Sequence, residues 1–462
     1  MRNPCVEIRL ASASRYDPIT PVFLNVCDPI RARLLAVDGS VKSDRVLRLG
    51  VETMKRHLLA LWIGLLWGPP AFSAPMPEFS KILLPEPLRG AQPSVAIEKG
   101  HGFIVTAQQS DGTRSALHWV AINFEGQQTS TGVISEGDAR FVNWADTPGI
   151  NVLDNGDWVA FWLERHDPEA LEGYDIKVVR SMDRGRTWSQ PISPHHDGTK
   201  TQHGFVSLVP DGGDRVLIAW LDGRLAAATP GSHDSHDHES APMTLRSAIL
   251  ARGNKVLEEA LIDDRTCSCC QTDLARVGNT TVLVYRDRSD EEIRDISISQ
   301  RLSANWGRPA PVHDDGWRIE GCPVNGPSIA INGKRGLIFW PTMINDSMVL
   351  RYKLIDEFSA SIDQIDADTL DLPKLPSGRV DAIQWKDGFL VTWVSRAKDR
   401  PSVDLAVIDA RGAIVLAPPM AEPQPRGRAT GFPRIASDGV RALLVWPELE
   451  NGVPVIGMTL LN

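Results

Sequence analysis

Ser181-Met182-Asp183-Arg184-Gly185-Arg186-Thr187-Trp188 decides the fold, because its residue types specify one kind of turn. Ser181 and Asp183 carry short-armed oxygens that can bond backbone groups within a loop. Gly185 accepts a positive φ, and Trp188 can pack back onto the strands the turn joins. Such a turn needs a strand on each side, and residues 174–180 and 188–192 supply two β-rich runs.

The same pattern recurs along the chain. Residues 93–108, 148–163, 205–221, 272–286, 327–341, 380–394 and 433–447 each read as an apolar run, a polar turn and a second β-rich run. Their closing positions are Ala107, Trp162, Trp220, Tyr285, Trp340, Trp393 and Trp446, spaced 55, 58, 65, 55, 53 and 53 residues apart. A period near fifty, with room for two more strands in each unit, predicts an all-β β-propeller of four-stranded antiparallel blades. Seven blades follow from the count, and the aromatic residues are expected to pack between them. The seventh unit shows only three strands, the last being 453–461. The orphan run 81–84 near the start is expected to complete it, closing the ring and removing exposed sheet edges.

The octapeptide resembles the Asp-box, or BNR repeat, of the sialidase superfamily, matching it at Ser181, Asp183, Gly185, Thr187 and Trp188. That resemblance implies a structural turn between outer blade strands, away from the active face. Classical members have six blades, which is the alternative count here. A glycoside hydrolase of exo-sialidase type would use three arginines on the substrate carboxylate, an acid/base Asp, and a Tyr activated by Glu. The usual Arg-Ile-Pro is replaced by Leu88-Arg89-Gly90-Ala91-Gln92-Pro93, and Tyr285 falls at an aromatic packing position. No catalytic residue is therefore carried over, and fold alone does not fix function. The segments Cys267-Ser268-Cys269-Cys270-Gln271-Thr272, Tyr285-Arg286-Asp287-Arg288-Ser289 and Gly321-Cys322-Pro323-Val324-Asn325-Gly326-Pro327 are similar to a subgroup of exported bacterial sialidase-like proteins.

Export has its own signal. Met54-Lys55-Arg56-His57 precedes the apolar run 58–67 and the small-residue stretch 68–74, the three parts of a secretory signal peptide. Cleavage is expected after Ser73 or Ala74, with Met54 as the true start and 1–53 an untranslated or disordered leader. Residues 75–462 then form one propeller domain, periplasmic or secreted, and the ten-residue apolar run is too short for an ordinary membrane span. That domain carries 39 Lys/Arg against 52 Asp/Glu, a net charge of −13. Such acidity excludes nucleic acid and anionic membrane surfaces as partners.

Cys267, Cys269, Cys270 and Cys322 remain in the mature chain, an even number that favours disulfides in an oxidising compartment. A bridge from one of the first three to Cys322 is expected, since adjacent cysteines pair poorly. No cofactor is expected. The alternative is a transition metal at Cys-x-Cys-Cys and the neighbouring His203, in a metal-handling or redox protein. The insertion 226–242 carries the His-rich run 232–239 and reads as a polar loop.

Propeller topology places the loops before strand 1 and between strands 2 and 3 on one face. Asp146, His203 and Asp222 are the candidate catalytic groups there; Arg224, Arg286, Arg288, Arg434 and Asn325 are the candidate substrate-binding groups. Arg286 and Arg288, two apart on an extended segment, are expected to point the same way. Guanidinium forks suit carboxylates, so the expected partner is an acidic glycan or another small anion, bound and, in an enzyme, hydrolysed at an axial funnel. A non-catalytic binding propeller is the alternative.

Overall fold

The computed structural model describes residues 78–86, 88–167, 173–225, 243–358, 367–397 and 400–462, with three backbone strands nearer the amino terminus. Contacts divide the chain into two units, 1–71 and 72–462. In the first, Val6–Leu10, Val22–Val26 and Arg33–Leu34 form an antiparallel sheet. The signal peptide read at 54–74 and the insertion 226–242 lie outside the described residues. Among the described residues no helix is long and apolar enough to cross a membrane.

The second unit is a propeller of seven antiparallel blades, numbered 1 to 7 along the chain. Their first strands begin at Ala91, Gly149, His203, Asp273, Ser328, Leu375 and Arg434. Each first strand touches the next, and the seventh touches the first, so the ring closes. In blade 7, Arg434–Ser437, Ala442–Glu450 and Val453–Leu461 are completed by Phe79–Lys81, with Thr459 opposite Lys81. The closing strand ends earlier than 81–84 because Ile82 and Leu84 turn into the apolar cluster between blades 7 and 1. Blade 2 has three laddered strands, and its outer edge is reduced to a bridge between Val178 and Ile192. Pro191 and Pro194 flank that bridge and lack the N–H groups a longer ladder needs.

Seven apolar clusters fill the seven interfaces between neighbouring blades. The repeated aromatic residues sit in them, with Trp220, Tyr285 and Trp340 fully buried. Residues i and i+2 of a strand share a face, so the side chain two positions on can satisfy the indole. Trp162 donates to Glu164 at 3.1 Å, Trp220 to Asp222 at 2.8 Å and Trp393 to Ser395 at 2.8 Å. A buried Trp with its N–H bonded stabilises without leaving a polar group stranded.

The octapeptide turn is held by its own short side chains. Ser181 Oγ accepts from Gly185 N at 2.8 Å, while Asp183 accepts from Thr187 N at 2.9 Å and Thr187 Oγ1 at 2.6 Å. These bonds to Thr187 hold the Asp183 carboxyl down at about 2. Gly185 has φ +81°, and a Cβ there would lie 2.7 Å from the rings of Trp119 and Trp158. Gly185→Ala is therefore expected to destabilise by about 1–3 kcal/mol, read as a fall in the urea midpoint with unchanged slope.

Candidate functional site

The axis is lined by one repeated position. Ser94, Gly149, Ser207, Asp273, Ser328, Asp381 and Arg434 lie opposite Thr106, Phe161, Ala219, Val284, Phe339, Thr392 and Val445. Each partner directly precedes the closing residue of its repeat, so the seven positions are equivalent. First strands of neighbouring blades splay rather than pair, which leaves inner N–H groups to be satisfied by side chains. Ser94 Oγ accepts from Ile150 N at 3.4 Å, Asp273 Oδ2 from Ile329 N at 2.9 Å, Ser328 Oγ from Ala382 N at 3.1 Å, and Asp381 Oδ2 from Ile435 N at 3.0 Å. The ring thus staples each of these blades to the next.

All of the seven but Asp381 line a polar cavity of about 160 Å³, together with Asn151, Gln271 and Phe432. Asp273 and Asp381 both accept from the Ser328 hydroxyl, at 2.8 and 3.3 Å. Burial, then repulsion from Asp381, lifts the Asp273 carboxyl to about 6, and burial lifts Asp381 as well. Arg434 lies over the Phe432 ring at 5.4 Å and its charge favours both carboxylates. Its guanidinium makes no hydrogen bond or salt bridge to the described residues. Phe432 stacks on Trp144 with centroids 6.0 Å apart, and Arg379 lies over Trp144 at 4.8 Å. Burial brings the Arg379 guanidinium down to about 10, where it donates to the carbonyls of Gly427 and Gly431.

Of the residues singled out from the sequence, only Arg434 lines this cavity; the others enter separate local networks. Arg286 is buried and donates to the carbonyls of Asn325 at 2.8 Å, Pro341 at 2.6 Å and Arg294, beneath the ring of Trp317. Arg288 instead grips Glu292 at 2.7 Å, so the two arginines do not converge on a ligand. Asn325 Oδ1 accepts from Arg379 N at 3.1 Å, fastening blade 5 to blade 6. Asp222 accepts the Trp220 indole and a two-pronged contact from Arg224, both prongs at 2.7 Å. Four arginines around one funnel is thus corrected: three of them are already committed to carbonyls or carboxylates.

Asp146 is buried against the Gly204 backbone, accepting from Phe205 N at 2.7 Å and Tyr174 Oη at 2.9 Å. Burial lifts its carboxyl to about 7 against these two bonds. An unfolded Asp titrates near about 3.9, so the folded chain binds the extra proton between the two values. The contribution is greatest below about pH 4 and is lost as pH rises through about 7. Asp146→Asn keeps an acceptor for Phe205 N–H and is expected to flatten that decline, measured as urea midpoints between about pH 5 and 8.

His203 belongs to a second cluster, between blades 2 and 3. Its ring is fully buried and stacks on His195 at 3.8 Å, 5° from parallel. Burial and the neighbouring His203 bring the His195 imidazole down to about 4. Asp175, Asp197 and His166 complete the cluster.

The cysteines do gather, but not as a bridge. Cys267, Cys269, Cys270 and Cys322 are free thiols, which corrects the expected disulfide. The nearest sulfurs are Cys267 and Cys270, 2.7 Å apart within one loop. Cys269 contacts Cys322, and that hydrogen bond brings the Cys322 thiol down to about 7.

Asp273 in the cavity wall, and Asp381 at the equivalent position of blade 6, are residues that sequence reading overlooked; aligning the first strands of the repeats would have found them. Asp175 and His166 carry no comparable signal, since they sit where strands 2 and 3 of blade 2 meet their loop.

No family model and no curated protein matches this sequence. Among solved structures it is similar to an α-L-arabinanase of Penicillium chrysogenum, at 14% identity and TM-score 0.47, covering 70% of this chain and 94% of that one. A sialidase of Streptococcus pneumoniae matches at 9% identity and TM-score 0.45, covering 83% and 94%. A sialidase of Trypanosoma rangeli matches at 12% identity and TM-score 0.43, covering 84% and 60%.

Proposed function

We propose that the propeller is an exported protein that binds an anionic saccharide in its axial cavity, with Arg434 holding the carboxylate. The observation that carries this reading is the state of Arg434: a guanidinium facing a polar cavity with its donors uncommitted. Guanidinium donors left without acceptors in a confined site favour a two-pronged carboxylate ligand. The Phe432 ring beside Arg434 offers an apolar face for the sugar ring. The octapeptide's resemblance to the Asp-box and the signal-peptide pattern at 54–74 support the carbohydrate and export parts of the reading.

Hydrolysis is a second reading with its own observation. Asp273 lines the cavity and holds a proton up to about 6, which suits a group that protonates a leaving oxygen. An array of acidic and neutral glycans, followed by turnover of the bound ones, tests both readings. Retention of sialylated or uronic-acid glycans is expected; retention of neutral glycans alone, or of none, would overturn the binding proposal.

A further inference from the structure

Three imidazole nitrogens face a single carboxylate oxygen between blades 2 and 3. His166 Nε2, His195 Nε2 and His203 Nδ1 lie 3.5, 3.7 and 3.7 Å from Asp175 Oδ1. These separations exceed the 2.7–3.2 Å range of ordinary N–H···O bonds. The ligand atoms of His166, Asp175 and His203 all lie within 4.8 Å of one another, and the two edges meeting at Asp175 are close to the roughly 3.4 Å edge of a tetrahedron with metal–ligand bonds near 2.1 Å. His195 Nε2 and both nitrogens of His203 make no hydrogen bond, although His203 is wholly buried. A buried imidazole without partners is destabilising, and coordination would satisfy it.

From this geometry we infer a binding site for one divalent transition-metal ion, with His166, Asp175 and His203 as its protein ligands and His195 stacked on the His203 ring. The far side of the stacked rings supports the assignment. Asp197 Oδ1 lies 3.3 Å from His195 Nδ1 and 3.3 Å from His203 Nε2, so one carboxylate backs both imidazoles. A carboxylate behind a metal-binding His fixes the tautomer and turns the other nitrogen toward the ion. Asp197 is itself bonded to the Thr199 hydroxyl, and Asp222 lies 3.8 Å from His203 Nε2. Two stacked cationic imidazoles would repel, whereas neutral imidazoles are the form that ligates. An imidazole-rich set with one carboxylate suits zinc, copper or nickel, and not calcium or magnesium. The His166 and Asp175 side chains are 16% and 22% exposed, which gives an ion a way in from the rim. Lys177 approaches the other oxygen of Asp175, at 3.4 Å, and leaves Oδ1 available.

Zinc retention by the full chain tests the site. After dialysis against zinc and then metal-free buffer, elemental analysis is expected to find about one ion per chain at this three-ligand site. His166→Ala and Asp175→Asn should each weaken zinc binding at least roughly tenfold in chelator competition, by loss of a ligand or its anchor. Asp175→Asn is nearly isosteric, so it keeps the test sound if the histidine variant misfolds. Zinc should also raise the thermal midpoint of the wild type and leave that of Asp175→Asn unmoved. Cobalt in place of zinc should give visible d–d absorption without a thiolate charge-transfer band. Replacing His233, His236 and His238 by Ala should leave retention intact. The inference is overturned by failure of the wild type to retain zinc, by undiminished retention in both ligand variants, by a thiolate band, or by loss of the ion in the triple-histidine variant.

Discussion

Arg286→Ala is expected to destabilise the propeller by about 3–5 kcal/mol, the largest loss among the substitutions considered. Removing this side chain strips three buried carbonyls, of Arg294, Asn325 and Pro341, of one shared charged donor. Each stranded carbonyl keeps its desolvation cost, and the space beneath Trp317 is emptied as well. Arg286→Lys should rescue little, because one ammonium on a flexible stem cannot reach three carbonyls set in a fixed fork. Urea unfolding followed by tryptophan fluorescence measures the effect. A ligand-binding role for Arg286 would give the reverse outcome, with affinity lost and the midpoint unmoved.

Arg434→Ala is expected to act mainly on binding. Its guanidinium forms no hydrogen bond or salt bridge with the described residues, so truncation should lower the urea midpoint only by the charge it lends to the Asp273 and Asp381 carboxylates, a fall that shrinks as pH drops and these groups are protonated. Binding of an acidic saccharide should fall by about 30- to 1,000-fold, the equivalent of about 2–4 kcal/mol for a lost charge-assisted, two-pronged contact. Arg434→Lys should recover part of the affinity, since a point charge attracts a carboxylate without matching its two oxygens. Calorimetric titration of the three proteins with one acidic glycan measures the series.

The contrast between these two arginines shows what the sequence could and could not convey. Blade number and closure were legible, because strand spacing and the periodic aromatics follow directly from backbone geometry and from burial between blades. The octapeptide turn was equally legible, since Ser181, Asp183 and Gly185 act on atoms within a few residues of themselves. Which charged side chains face the axis was not. Arg286 and Arg434 both follow from loop placement, yet one meets carbonyls of a neighbouring blade and the other an open cavity. That distinction depends on contacts made across 55 residues, beyond any local pattern. Asp222 was misread for the opposite reason: its partners, Trp220 and Arg224, are local and exhaust its two oxygens. His203 was singled out as a catalytic candidate for the axis, whereas the structure sets it among carboxylates from separate segments of blades 2 and 3.

The most direct test of an anion-binding axial cavity compares a sugar acid with its own methyl ester. Sialic acid or galacturonic acid, and the matching ester, would be titrated calorimetrically into the wild type and into Arg434→Ala. The wild type is expected to bind the acid and to lose most of that affinity for the ester, while Arg434→Ala binds neither. Equal affinity for acid and ester, or undiminished binding of the acid by Arg434→Ala, would contradict the account.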